Sequence, residues 1–133
     1  MWNVAASTIL VGNYIKPGGA LLYSTEDMAI RTLTTESDPW AYGRWASQRY
    51  QRRGGNSLLV ISAYRVGKRT DIPGSSTAWH QQKVLLMQAN RSEEPEDAFL
   101  NDMVEWIKSK QNQNNNMEIV LFLDANEKWT DKS

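Results

Sequence analysis

The amino-acid sequence predicts an α/β fold of the α+β type, in which a mostly antiparallel β-sheet is covered by two helices. Residues 1–64 contain four or five short apolar or β-branched runs between turn signals, a pattern typical of a β-meander. Two segments after Gly74 have the apolar spacing of helices, and one more apolar run follows at residues 117–123. The length of 133 residues fits one domain and hardly two.

The first part of the meander consists of short runs that alternate with turn residues. Three runs predict strands: residues 7–11, 20–24 and 28–34. Lys-Pro-Gly-Gly at 16–19 predicts a turn between the first two, and Glu26-Asp27 predicts an acidic turn before the third. Asp38-Pro39 ends the pattern, because the residue before a proline is restricted to extended or turn conformations.

The second part of the meander is predicted as a hairpin. Residues 44–50 alternate large and small side chains, as a half-buried strand does. Residues 53–56 (Arg-Gly-Gly-Asn) are turn residues, and Ser57–Tyr64 is an almost continuous apolar run of the kind found in a central strand.

The remainder of the chain predicts two helices and a last strand. Residues 78–90 keep apolar side chains at helical spacing. Residues 93–97 predict the acidic first turn of a second helix, with Pro95 near its start, and apolar side chains follow at helical spacing from Phe99 to about Lys110. Residues 111–116 are all Gln or Asn and predict a polar loop. Residues 117–123 predict a buried strand.

Composition excludes several classes of protein. No apolar run approaches the roughly 20 residues that a transmembrane helix needs, so we expect no membrane partner. Cysteine is absent, which excludes thiol catalysis and cysteine zinc sites, and the only histidine, His80, cannot build a multi-histidine metal site. The lack of cysteine and of a signal peptide predicts an intracellular protein.

The net charge of zero hides an asymmetry between the two parts of the chain. Residues 1–83 hold ten Lys/Arg and five Asp/Glu, whereas residues 84–133 hold five and ten. No acid lies between Asp38 and Asp71, and arginines of this interval are candidate phosphate or nucleic-acid contacts, chiefly Arg44, Arg52, Arg53 and Arg65. The alternative is a solvated hairpin that pairs with the acidic part of the same chain.

The ends of the two apolar strands carry the residues best suited to chemistry. Asp124 and Asn126 follow the last strand, and Tyr64 and Arg65 end the central one. If these strands are neighbours, the four side chains share one rim, where Asp124 can activate a water and the others can position it and hold phosphate oxygens. The alternative is that Asp and Asn here simply stabilise a turn.

Four segments carry a resemblance to a known family. They are residues 60–66 (Val-Ile-Ser-Ala-Tyr-Arg-Val), 74–82 (Gly-Ser-Ser-Thr-Ala-Trp-His-Gln-Gln), 99–102 (Phe-Leu-Asn-Asp) and 119–127 (Ile-Val-Leu-Phe-Leu-Asp-Ala-Asn-Glu). Together they resemble the endonuclease/exonuclease/phosphatase superfamily, and within it the endonuclease-like domain associated with retroelements. The resemblance spans roughly residues 14–128 and corresponds to the central portion of that fold, so the whole chain is expected to form one truncated domain of this kind.

The resemblance implies a function as well as a fold. It implies the middle of a four-layer α/β sandwich and magnesium- or manganese-dependent cleavage of phosphodiesters in nucleic acid. By matched motif, Asp124 would activate the attacking water, Asn126 would position it, and Tyr64 would contact the phosphate near the metal. Arg65 would hold phosphate.

The catalytic set of the family is incomplete in this sequence. The Asn and the metal-binding Glu of the family's first strands have no counterpart here, and neither has its terminal Asp-His pair. We therefore expect Glu127 or Asp131 to replace the missing metal ligand, since magnesium prefers carboxylate oxygens. The alternative is a catalytically inactive module that binds nucleic acid or assembles with itself.

The burial pattern also predicts a homo-oligomer, most simply a dimer. The two central apolar runs need cover on both faces, and two helices can cover only one. A second copy around a two-fold axis is the simplest cover, with exchange of residues 7–14 about Gly18-Gly19 as one route.

Overall fold

The computed structural model describes residues 2–11, 14–68 and 78–126. Its elements in chain order are β1 Trp2–Val11, β2 Tyr14–Thr25, α1 Glu26–Ile30, β3 Thr32–Ser37, β4 Trp45–Gln51, β5 Ser57–Tyr64, α2 Ala78–Gln88, α3 Pro95–Gln113 and β6 Met117–Asp124. The predicted α+β fold class is confirmed. No helix in these ranges is long and apolar enough to cross a membrane.

A mixed four-stranded sheet in the order β3-β4-β5-β6 forms the centre of the molecule. The β3–β4 and β4–β5 pairs are antiparallel, and β5–β6 is parallel, with Ser57 opposite Met117 and Tyr64 opposite Asp124. A parallel neighbour requires a long crossover, and α2 and α3 lie in that connection. Strand β5 is therefore internal, as its apolar run predicts.

One face of this sheet packs against α3. Alternate residues of β4 and β5 point to this face, and the apolar stripe of α3 covers them. The buried cluster consists of Trp45, Leu59, Ile61, Ala63, Phe99, Met103 and Trp106. Helix α2 packs beside α3 through Leu86, which contacts Ala98 and Tyr42. The alternation of buried and half-buried residues along β5 follows directly from the two-residue period of a strand.

The opposite face of the sheet is covered by the β1–β2 hairpin. Ala5 and Ala20 pack against Ala46 of β4, and the Ser24 hydroxyl donates to Oε1 of Gln48 over 2.8 Å. The sequence predicts that this face lacks cover from the chain itself, and this prediction is wrong for the part that the hairpin reaches. The predicted dimer itself remains a prediction.

Two local predictions in the first part of the chain are wrong. Residues 16–19 lie within β2 and not in a turn, and the register between the hairpin strands shifts at this point, between Thr8 and Leu10. The turn residues of this segment thus coincide with an irregularity inside a long strand, where a proline without N–H and flexible glycines are tolerated. Residues 28–30 belong to helix α1, so the third strand begins only at Thr32.

The last strand is less buried than its composition predicts. Among the described residues, strand β6 has a neighbour on one side only, and four apolar side chains are 39–63% exposed: Val120, Leu121, Phe122 and Leu123. The prediction of a buried strand at 117–123 is therefore right for the strand and wrong for its burial within the described residues. Helix α3 also continues to Gln113, three residues into the predicted polar loop.

Candidate functional site

The ends of β5 and β6 form one rim, as predicted for neighbouring strands. Tyr64 lies opposite Asp124 in the parallel ladder, and the Arg65 N–H donates to the Asp124 carbonyl over 2.9 Å. Because parallel strands end at the same edge of a sheet, the ladder brings Tyr64, Arg65 and Asp124 to one edge. Tyr64 and Arg65 are half-buried, and Asp124 is exposed.

A turn at the end of β6 fixes Asn126. Oδ1 of Asp124 accepts a hydrogen bond from the Asn126 N–H over 3.2 Å, and Nδ2 of Asn126 donates to the Arg65 carbonyl over 2.8 Å. Asn126 has a φ of 49°, a conformation that asparagine adopts more readily than most residues. The structure thus joins Tyr64, Arg65, Asp124 and Asn126, and it commits part of the Asp124–Asn126 pair to holding the turn.

The first turn of α3 lies against the same rim. Nε of Arg65 donates to the Glu96 carbonyl over 3.2 Å, and the Glu96 carboxylate accepts from the indole N–H of Trp79 over 2.7 Å. Glu96 and Trp79 have no site role in the sequence-based prediction. An acidic first turn is a usual helix start, and only the packing of both helices beside the strand ends shows that Glu96 is close to Arg65.

Arg44 lies in the interior and not at a binding surface, so its assignment as a phosphate or nucleic-acid contact is corrected. Its side chain is 1% exposed, and its guanidinium lies 2.7 Å from a carboxylate oxygen of Asp38 and 2.7 Å from one of Asp102. Burying a guanidinium requires compensating carboxylates. The sequence around Arg44 contains no signal that Asp102, which is distant along the chain, packs against its guanidinium. A phosphate has no access to Arg44 in this fold.

Arg52 and Arg53 lie at the opposite end of the sheet from the rim. They belong to the turn between β4 and β5, both are exposed, and Arg52 forms an ion pair with Glu118 at the start of β6. The eight residues of β5 separate this turn from Tyr64 by about 23 Å, at about 3.3 Å per residue. One nucleotide cannot contact both places, but a longer strand of nucleic acid can.

The described residues do not build a metal site by themselves. Among them, no group of three or more His, Cys, Asp or Glu side chains is arranged to hold a metal ion. Glu127 and Asp131, the predicted additional ligands, lie outside the described residues. Asp124 is the predicted site's only carboxylate within the described ranges, so a magnesium ion there needs further ligands from elsewhere.

Comparison of the chain with protein-family models, with curated proteins and with solved structures found no match.

Proposed function

We propose that the chain binds phosphodiesters of nucleic acid at the rim formed by β5 and β6, and hydrolyses them there with the help of a divalent cation. The observation that carries the proposal is the pairing of Tyr64 with Asp124 at the common end of two parallel strands. The resemblance of residues 60–66 and 119–127 to the nuclease superfamily supports the same assignment.

Each residue of the rim has a chemical role in this proposal. Asp124 is an exposed carboxylate at a strand end, so it can orient a water molecule and accept its proton as the water attacks phosphorus. Tyr64 and Arg65 donate to the non-bridging oxygens, on which negative charge accumulates. Asn126 holds the turn that sets the direction of Asp124, so in this structure its role is positioning.

The divalent cation belongs to the proposal and not to the described geometry. Magnesium prefers oxygen ligands and keeps several waters, so Asp124 with one or two further carboxylates would suffice. Glu127 and Asp131 follow Asp124 closely in the sequence and are the candidates for these ligands. When bound, the metal would neutralise charge on the phosphate.

A pair of matched variants tests the hydrolytic proposal. Asp124→Asn removes the rim carboxylate, and the control Asp27→Asn removes an exposed carboxylate of α1. Helix α1 lies near the other end of the sheet, where the Arg31 carbonyl accepts a hydrogen bond from the Gln51 N–H. Labelled DNA and RNA oligonucleotides are incubated with each protein in magnesium, in manganese and in chelator. We expect cleavage to fall about 10²- to 10⁴-fold in Asp124→Asn and to stop in chelator, with Asp27→Asn unchanged. Cleavage that survives both treatments contradicts the proposal.

A second candidate function is nucleic-acid binding without cleavage. It is favoured by the hydrogen bond between Asp124 Oδ1 and the Asn126 N–H, which is the bond of an ordinary turn, and by the exposed Arg52 and Arg53. In this case the wild type binds oligonucleotides and cleaves none, and Asp124→Asn binds as the wild type does.

A further inference from the structure

Strand β6 leaves one side of its backbone without a partner strand among the described residues. Ser57 of β5 and Arg65, which follows β5, donate to the carbonyls of Asn116 and Asp124, so the even-numbered residues from 116 to 124 direct their N–H and C=O groups at β5. Along a strand these directions alternate. The backbone groups that point to the open edge therefore belong to Met117, Ile119, Leu121 and Leu123.

The side chains along this edge are apolar on both faces of the sheet. Val120 and Phe122 lie on the hairpin side and are 39% and 63% exposed, and Leu121 and Leu123 lie on the helix side and are each 40% exposed. The other edge, β3, carries three threonines, and its Glu36 pairs with Lys110 of α3 over 2.6 Å. Soluble proteins protect sheet edges with such polar and charged residues, and the middle of β6 has none.

We propose that β6 pairs antiparallel with β6 of a second copy, around a two-fold axis that passes by Val120 and lies normal to the sheet. The two four-stranded sheets would then form one continuous sheet. In an antiparallel pair, directly opposite residues lie on the same face of the sheet. The two-fold axis must therefore pass beside one residue of each strand and cannot pass midway between two successive residues. In the register centred on Val120, Ile119 faces Leu121 and Met117 faces Leu123 on the helix side.

Charge favours this register over the one centred on Leu121. A pair centred on Leu121 would set Glu118 directly opposite Asp124, and like charges directly opposite each other are destabilising. Centring on Val120 sets Asn116 opposite Asp124 and Phe122 opposite Glu118, and Glu118 already has Arg52 as its ion-pair partner. The apolar residues of β6 are thus complementary to themselves, which argues for a second copy as the occupant.

The same pairing would combine two surfaces that lie far apart within one chain. In an antiparallel pair, the carboxyl end of β6 lies beside the amino end of the partner strand, next to the turn that holds Arg52 of the partner subunit. Two strand spacings, about 10 Å, would separate that turn from the rim at Asp124, against about 23 Å within one chain. A nucleic-acid strand could then contact both. The assembly does not depend on hydrolysis, so it can fail while the proposed function stands.

Light scattering after size exclusion tests the interface with a matched pair of leucine variants. Leu121→Lys puts a charge at the open edge, and Leu21→Lys makes the same change on the outer face of the β1–β2 hairpin, where Leu21 is 58% exposed. Over the micromolar range we expect the wild type and Leu21→Lys to reach twice the chain mass of 15.2 kDa, and Leu121→Lys to remain at the chain mass. A wild type that stays at the chain mass overturns the proposal, and so does a dimer that survives in Leu121→Lys.

A second variant distinguishes loss of the dimer from misfolding. Leu121→Pro removes an N–H that points to the open edge and leaves the bonds between β5 and β6 in place, so it should dissociate the dimer with an unchanged circular dichroism spectrum. Hydrogen exchange then identifies the occupant. Protection of the Ile119 and Leu121 amides should rise with protein concentration. Protection that is already complete in the monomer means that a segment of the same chain covers the edge, and this result contradicts the proposal.

Discussion

Nη1 of Arg44 donates a hydrogen bond of 2.7 Å to Oδ2 of Asp102, joining the start of β4 to the middle of α3. Arg91 binds the same carboxylate through two bonds of 2.9 Å, and the hydrogen bond to Asp102 is the main reason why the pKa of Arg91 is raised above its ordinary value. Asp38 completes the set on the other side of Arg44. Arg44, an arginine of the acid-free interval, thus joins the sheet to helix α3.

Removing Arg44 should destabilise the fold strongly. Arg44→Met leaves Asp38 without a cationic partner in the interior, and breaking one side of a buried ion pair costs about 3–5 kcal/mol in free energy of unfolding. Arg52→Met is the control, because the exposed pair with Glu118 contributes at most about 1 kcal/mol. Urea unfolding followed by circular dichroism gives both values. Equal losses in the two variants would show that the Arg44 cluster does not stabilise the fold.

The turn between β4 and β5 should depend on glycine for its backbone conformation. Gly54 has a φ of 75°, and a Cβ there meets no atom within 4 Å, so Gly54→Ala should cost about 1–2 kcal/mol through backbone strain alone. Gly67 has no such φ, and a Cβ there would lie at an ordinary 3.6 Å from Cβ of Asn126. Gly67→Ala should therefore be close to neutral in the same thermal or urea unfolding experiment.

Nucleic-acid binding should depend on the exposed arginines of this turn. The double variant Arg52→Glu, Arg53→Glu is expected to weaken oligonucleotide binding and to flatten its salt dependence, by a slope of about 0.9 for each lost phosphate contact with duplex DNA. The double variant Arg31→Glu, Lys108→Glu makes the same charge change at other exposed positions. Fluorescence anisotropy titrations at several salt concentrations measure the slopes. Identical slopes for the two double variants would locate the contact on a different surface.

Two substitutions at Asn126 separate its backbone role from its side-chain role. Asn126→Gly keeps access to a φ of 49° and loses the bond to the Arg65 carbonyl, a change of about 1 kcal/mol. Asn126→Ala loses the same bond and adds the strain of a left-handed conformation, which should lower the free energy of unfolding by about another 1–2 kcal/mol. If the alanine variant unfolds no more easily than the glycine variant in urea, the turn does not constrain this residue.

The sequence predicts best those elements whose apolar pattern is set by their own residues. Strand β5 has the predicted bounds, and α3 begins at Pro95, within the predicted first turn at residues 93–97, because a strand buried on two sides and a proline near a helix start are local signals. The rim follows from one further assumption, that β5 and β6 are neighbours. The burial of Arg44 does not follow, since its partner Asp102 is distant in sequence and only the folded chain brings the two together.

The parallel pairing of β5 with β6 also has a consequence for how the protein is made. Ser57 can pair with Met117 only after the whole of α2 and α3 has been synthesised. In contrast, β3, β4 and β5 are joined by short connections and can pair as soon as they leave the ribosome. Contacts that are distant in sequence form slowly because the intervening loop must be closed first. A ribosome that pauses before Met117 would therefore hold a meander whose Leu59 and Ile61 lack both their last neighbouring strand and part of their core, and this pause is the moment when a chaperone would matter most.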